Sequence, residues 1–211
     1  MRYPTEFQVE PTPLTANLGE SGNEALTHLR DKGFEVYTGL SLEIRKQLGR
    51  LACEEVIYAT CWNDKEKRFG DDEMAKKWMQ KGRGLITLQR RDEIVGYGWT
   101  GPGTDDTYMP GGEVTAAFRL GEGARGQRLA TPFTEVVTKS ASALYDGRNV
   151  WLETWRSNVA ANKAYEKVGY EEVVCVNSLR KTKNSPDEPD IRRFMRYPNE
   201  LLPPFEDKIH D

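Results

Sequence analysis

Residues 150–170 read VWLETWRSNVAANKAYEKVGY, and this stretch decides the fold. Val150–Trp155 is short, apolar and rich in β-favouring side chains, which predicts a buried strand. It runs straight into a helix opened by Asn158, a residue type suited to the first free N–H groups of a helix. The helix carries Ala161 and Tyr165. It stops at Gly169-Tyr170, since glycine accepts the left-handed conformation with which helices commonly end. Asn, Ala three on, Tyr seven on, and Gly-aromatic eleven and twelve on form a spaced set on one strand–helix unit.

Upstream lies AFRLGEGARGQRLATPF, residues 117–133. Here a strand ends, a glycine-containing turn follows (Gly121–Gly126) and a helix begins, expected over 126–145. Backbone N–H groups at a helix start lack partners, and the helix dipole favours an anion there. Arg125 and Arg128 add positive charge. The stretch reads either as a pyrophosphate cradle or as a loop with solvated arginines. It lacks the GxxxxGK[ST] pattern of a nucleoside-triphosphate site, which argues against an ATP enzyme.

The strand Val114–Leu120, the helix 126–145 and the strand Val150–Trp155 form a crossover, so the two strands are expected to be parallel. The remaining segments are Phe34–Tyr37, Leu85–Gln89, Ile94–Thr100, Glu172–Asn177 and Ile191–Tyr197, read as strands. Leu85–Gln89 and Ile94–Thr100 are joined as a hairpin by Arg91-Asp92. The loop Arg180–Asp190 joins the last two strands. Leu40, Ile44, Leu48, Leu51 and Val56 make one apolar stripe, predicting a long helix capped by Ser41. Asp71 and Asp72 open another helix, stopped by Gly82. Residues 1–33, with Pro4, Pro11 and Pro13, read as an arm with a short helix capped by Ser21 or Asn23. The expectation is a single α/β domain over 34–197, a tail at 198–211, and a mixed, mostly antiparallel sheet of about seven strands flanked by helices.

The chain has 211 residues, 37% hydrophobic and 30% charged, as expected of a globular protein with a sizeable core. A net charge of −3 gives no electrostatic footprint for nucleic acid, and no apolar run approaches the length of a membrane span. The N-terminus shows no signal-peptide pattern. Three cysteines without a CxxC pair suit a reduced, cytoplasmic protein. The two histidines, His28 and His210, lie in terminal segments, so acid–base chemistry falls to carboxylates, tyrosine, lysine or cysteine, and no metal site is expected.

Together the two motif segments resemble the GNAT acetyltransferase family. Members carry [QR]-x-x-G-x-[GA] after their fourth strand, here Arg125, Gly126, Gln127, Arg128, Leu129 and Ala130, followed by Thr131. Arg128 stands where the family has glycine. It either restricts the approach of a pyrophosphate or supplies a guanidinium contact to it. Asn158, Ala161, Tyr165, Gly169 and Tyr170 match the family's N-x-x-A-x-x-x-Y-x-x-x-G-[FY] throughout. The resemblance implies that the fourth and fifth strands, Val114–Leu120 and Val150–Trp155, splay apart. It implies that Phe118, Arg119 and Leu120 offer backbone to the pantetheine arm of acetyl-CoA, and that Asn158 and Tyr165 meet the cofactor. The implied activity is acetyl transfer to an amine acceptor by direct transfer in a ternary complex, in a monomer or homodimer. A non-catalytic acyl-CoA-binding regulatory module on the same fold is the alternative, with Arg128 its best support.

Aminolysis of a thioester needs a neutral amine, donors for a developing oxyanion and a proton or donor for the departing thiolate. The resemblance makes Tyr165 the acid. Glu153 lies five residues before Asn158 and twelve before Tyr165, spacings similar to those of ribosomal-protein N-terminal alanine acetyltransferases, whose glutamate there is catalytic. Glu153 is therefore the candidate base, with Glu113 its rival. Tyr165 also reads as a core tyrosine, Glu153 as an ion-pair partner and Asn158 as a simple cap. Trp99, Trp151 and Trp155 read as core, and Cys175 as an idle thiol. Family acceptor pockets draw on a first loop, here around Asn63–Asp71, and on the last loop, where Asp187, Glu188 and Asp190 either attract a cationic amine or keep the loop solvated.

Overall fold

In the computed structural model, residues 10–198 are described apart from 16, 104–107, 110–112, 146 and 182–186. The first nine residues, the tail beyond 198 and parts of the loops 101–112 and 180–190 therefore lie outside the described residues.

The apolar and β-branched runs form one eight-stranded sheet. In chain order its strands are β1 (Thr12–Pro13), β2 (Glu35–Thr38), β3 (Gly84–Arg90), β4 (Glu93–Pro102), β5 (Val114–Leu120), β6 (Val150–Trp155), β7 (Glu171–Arg180) and β8 (Glu188–Tyr197). Their spatial order is β1-β2-β3-β4-β5-β6-β8-β7. Every neighbouring pair is antiparallel except β5 and β6, the pair predicted to be parallel. The strand not foreseen is β1, two residues pairing with Thr38 and Tyr37.

The helices are α1 (Gly19–Asp31), α2 (Leu42–Leu51), α3 (Glu55–Cys61), α4 (Asp72–Met79), α5 (Ala130–Leu144) and α6 (Val159–Val168). One core joins α1, α5 and α6 to the sheet through Leu29, Phe133, Val136, Val137, Val150 and Leu152. The other face packs Leu48, Phe69, Trp78 and Met79 against Leu85 and Tyr97. The N-terminal segment is thus part of the core from Leu14 onward. Neither Ser21 nor Asn23 caps α1, which begins at Gly19; Asn23 Oδ1 instead accepts the Leu18 N–H.

Two helix expectations are corrected. The stripe from Leu40 to Val56 is not one helix: Glu54 adopts an extended backbone (ψ 133°) between α2 and α3, and its carboxylate accepts the Glu122 N–H at 2.7 Å. The break keeps Ile57 on the apolar side, so periodicity alone cannot reveal it. The helix expected from residue 126 starts at Ala130, because Gly126 (φ +70°) and Arg128 (φ +60°) are left-handed and cannot continue a right-handed helix. Caps read from sequence do hold at Ser41, whose Oγ accepts the Ile44 N–H, and at Asp71, whose carboxylate accepts the Met74 N–H.

Candidate active site

β5 and β6 are register partners only at Val114–Val150 and Thr115–Trp151. Beyond Ala116 the two strands part, and β6 continues along β8 from Val150 to Trp155. The result is a wedge-shaped opening in the sheet, with its apex near Thr115 and its mouth toward Leu120. About five residues at roughly 3.3 Å each make it some 17 Å long.

At the mouth, a short 3-10 turn (Glu122–Ala124) leads into Arg125–Leu129. The N–H groups of Gly126, Gln127, Arg128, Leu129, Ala130 and Thr131 find no acceptor among the described residues. A side chain added at Gly126 would meet nothing within 4 Å, so the loop is open on that side. Arg125 and Arg128 are exposed there. Free N–H groups, a helix start and two guanidiniums form an anion cradle. Arg128 holds the left-handed backbone that a glycine would adopt, so the loop keeps its course without one. Lys32 braces it by donating to the Gln127 carbonyl at 2.9 Å.

Tyr165 on α6 is buried beside this opening, its ring 5.7 Å from Phe118 of β5 and 6.0 Å from Tyr170. Burial pushes its hydroxyl pKa up to about 12, partly opposed by the nearby Arg119 charge. Asn158 sits at the α6 N-cap, yet its side chain caps nothing and is exposed. The turn is instead held by Asn162, a residue the sequence reading missed, which donates to the Trp155 and Arg156 carbonyls. Gly169 ends α6 at φ +103°, and Tyr170 N–H closes the turn on the Tyr165 carbonyl. Tyr170 itself is core, its hydroxyl bonded to Thr138 Oγ1 at 2.9 Å.

Glu153 points away from the face carrying Val150 and Leu152, and its carboxylate accepts from Arg192 of β8 in a half-exposed ion pair. Glu153 and Tyr165 thus approach the wedge from opposite faces of the sheet. Glu113 lies at the closed end, where it accepts from Asn149 at 3.0 Å. Cys175 is exposed beside Arg156 and Glu172, and burial with the Glu172 contact raises its thiol pKa, which disfavours a nucleophile. Trp151 is fully buried against Phe194 and Met109.

One buried group was wholly missed. Asp64 is fully buried and accepts from Tyr97 Oη at 2.7 Å, Arg119 Nε at 2.9 Å and Arg68 Nη1. Burial opposes its ionisation, but the Arg119 and Arg68 charges and the Tyr97 hydroxyl outweigh it and hold its pKa below the usual carboxylate value. The expected loop Asn63–Asp71 is therefore a wide π-type turn (Lys65–Phe69) anchored through Asp64. In the last hairpin, Glu188 and Asp190 are engaged by Arg180, and Asp190 also accepts from Ser157. These two carboxylates are taken, and a cationic amine gains little from them.

No protein-family model and no curated protein matches the sequence. Solved structures do match in shape. A Salmonella typhimurium protein described as an acetyltransferase, yncA, solved with its cofactor acetyl-CoA, superposes with a TM-score of 0.60 over 81% of this chain and 96% of its own, at 12% identity. The ribosomal-protein-S18-alanine N-acetyltransferase of Escherichia coli gives 0.57 over 83% and 99% at 14% identity. The ribosomal-protein-S5-alanine acetyltransferase of Vibrio fischeri gives 0.61 over 82% and 96% at 10% identity. The chain has the GNAT fold. Within that fold, the wedge between β5 and β6 and the cradle before α5 are the two features that a linear, phosphate-bearing ligand can use together. No described helix is long and apolar enough to cross a membrane.

Proposed function

We propose that this chain is an acetyl-CoA-dependent N-acetyltransferase that moves an acetyl group to a primary amine, of a small molecule or of a peptide or protein, by direct transfer in a ternary complex. The observation that carries this reading is the wedge between β5 and β6, which has free backbone donors at its mouth and Tyr165 along its side.

Acetyl-CoA supplies the activated acyl group. The N–H groups of Gly126–Thr131, with Arg125 and Arg128, hold its pyrophosphate. The parted edge of Phe118–Leu120 offers backbone to the pantetheine arm, and the uncommitted Asn158 side chain lies at the rim. We take residues 34–197 as the catalytic domain, with the segment from Leu14 to Leu29 packed into its core. Cys53, Cys61 and Cys175 form no disulfide, which suits a reducing cytoplasm.

Tyr165 serves the departing thiolate. With a pKa near 12 its hydroxyl is neutral at pH 7 and always able to donate. Outright transfer of the proton to a thiolate of ordinary pKa, about 8.5, would be uphill by roughly 5 kcal/mol. Tyr165 therefore acts first as a hydrogen-bond donor whose bond strengthens as charge gathers on sulfur. Glu153 accepts the proton of the attacking amine. To do so it leaves Arg192, and a half-exposed pair of this kind holds it by only about 0–1 kcal/mol.

The test is release of CoA thiol from acetyl-CoA across a panel of amines. Release that depends on the amine supports transfer. Tight acetyl-CoA binding with no release from any amine would favour the binding-module reading.

A further inference from the structure

Resting on the transferase reading, we infer that the acceptor is a small amine that also carries a carboxylate, bound by Arg83 and Arg68 at the closed end of the wedge. The inference starts from a charge mismatch along one face of the sheet. Tyr97, Trp99 and Gly101 of β4 pair in register with Arg119, Ala117 and Thr115 of β5. Arg119 and Arg68 share the single carboxylate of Asp64. The Arg68 guanidinium also lies 5.0 Å from the centre of the Trp99 ring, and Arg83 lies 5.0 Å from the same ring. Arg83 donates to Thr115 Oγ1 at 3.1 Å. It makes no ion pair among the described residues. Three guanidiniums thus stand against one acid.

The unused donors point the same way. Arg83 Nε and Trp99 Nε1 are enclosed and unbonded. So is Trp151 Nε1 of β6, next to Thr115 in register and on the same sheet face. Burial and the neighbouring Arg68 charge both lower the Arg83 pKa, and no carboxylate offsets them. A partly desolvated cation with unmatched donors is costly in isolation, and a carboxylate meets both needs, because its two oxygens fit a guanidinium fork. The cofactor's pyrophosphate cannot serve: its cradle follows Leu120, about 17 Å along β5 from Thr115. Glu113 at the same end accepts from Asn149, and no described carboxylate acts on Arg83, so the anion for this guanidinium arrives with the acceptor. The Arg68–Trp99 contact places the turn Lys65–Phe69 over the same spot.

The experiment measures CoA release by the full chain with ω-amino acids of two to six carbons, each against the alkylamine of the same length. The expected result is a kcat/KM about ten- to a hundredfold higher for the acids, the range of a charged hydrogen-bonded pair. Arg83→Gln should collapse that ratio by raising the acids' KM with kcat changed little, and Arg83→Lys should restore part of it. Thermal melting confirms that each variant is folded. Equal kcat/KM for acids and alkylamines, or an unchanged ratio in R83Q, overturns the inference and leaves the transferase reading standing. No release from either set overturns this inference, and the transferase reading falls with it only if peptide amines release no CoA either.

Discussion

Arg119 of β5 donates its Nε–H to Asp64 Oδ2 at 2.9 Å, and Tyr97 shares the same oxygen at 2.7 Å. This bond ties the strand that borders the wedge to the turn between α3 and α4. It also holds the Arg119 charge next to Tyr165, where it favours the tyrosinate and partly offsets burial.

Removing the carboxylate should be expensive. Asp64→Ala leaves two guanidiniums and a buried hydroxyl unmatched, and a loss of about 3–5 kcal/mol is expected in urea melts. The pH dependence follows from the sign of the shift. The folded pKa lies below the unfolded value of about 3.9, so the stabilisation is present above pH 4 and is lost as pH falls through the folded pKa. Wild type should therefore lose stability below about pH 4 more steeply than Asp64→Asn.

Tyr165 predicts the opposite limb. Its folded pKa is raised to about 12. Its stabilising contribution is complete below the unfolded value of about 10 and declines as pH rises from there. Between pH 10 and 12 wild type should lose up to about 2.7 kcal/mol that Tyr165→Phe does not, read as the difference between their alkaline melts. At pH 7 the same variant should slow the chemical step far more than it weakens acetyl-CoA binding, and full single-turnover rate in Y165F would remove Tyr165 as the donor.

Arg128 carries a backbone strain that glycine would relieve. A non-glycine residue at φ +60° costs about 1–2 kcal/mol, so Arg128→Gly should raise stability by up to about 1 kcal/mol after the extra chain entropy is counted. If the guanidinium meets a phosphate, acetyl-CoA affinity should fall several-fold and become less dependent on salt. Calorimetric melts and titrations at two ionic strengths read both effects.

Glu153→Gln should lower kcat/KM for a protonated amine and shift the alkaline-rising limb of the pH–rate profile. An unchanged profile would return Glu153 to a plain partner of Arg192.

Local signals carried the sequence reading far where chemistry is local. Val114–Leu120 and Val150–Trp155 are strands to the residue, and α6 ends at Gly169 because a left-handed glycine stops it, while Asn162 rather than the Asn158 side chain holds its start. The parallel pairing of β5 and β6 followed from the length of the crossover. What failed was non-local. The break at Glu54 depends on a carboxylate reaching Glu122, 68 residues away. Asp64 falls in the loop expected around Asn63–Asp71 with no local mark of its own, and only its partners 33 and 55 residues on make it a buried anchor. The helix expected from residue 126 starts only at Ala130, since Arg128 takes a left-handed turn before it. The place of β8 between β6 and β7 also had no sequence signal.

The most direct measurement of the central claim follows a labelled acetyl group from acetyl-CoA. With an amine present, the account predicts one free CoA for each acetylated amine, and no label on the protein when acetyl-CoA is supplied alone. Acetyl-CoA that binds yet returns intact from every amine would contradict transfer, and label retained on the protein would contradict its direct route.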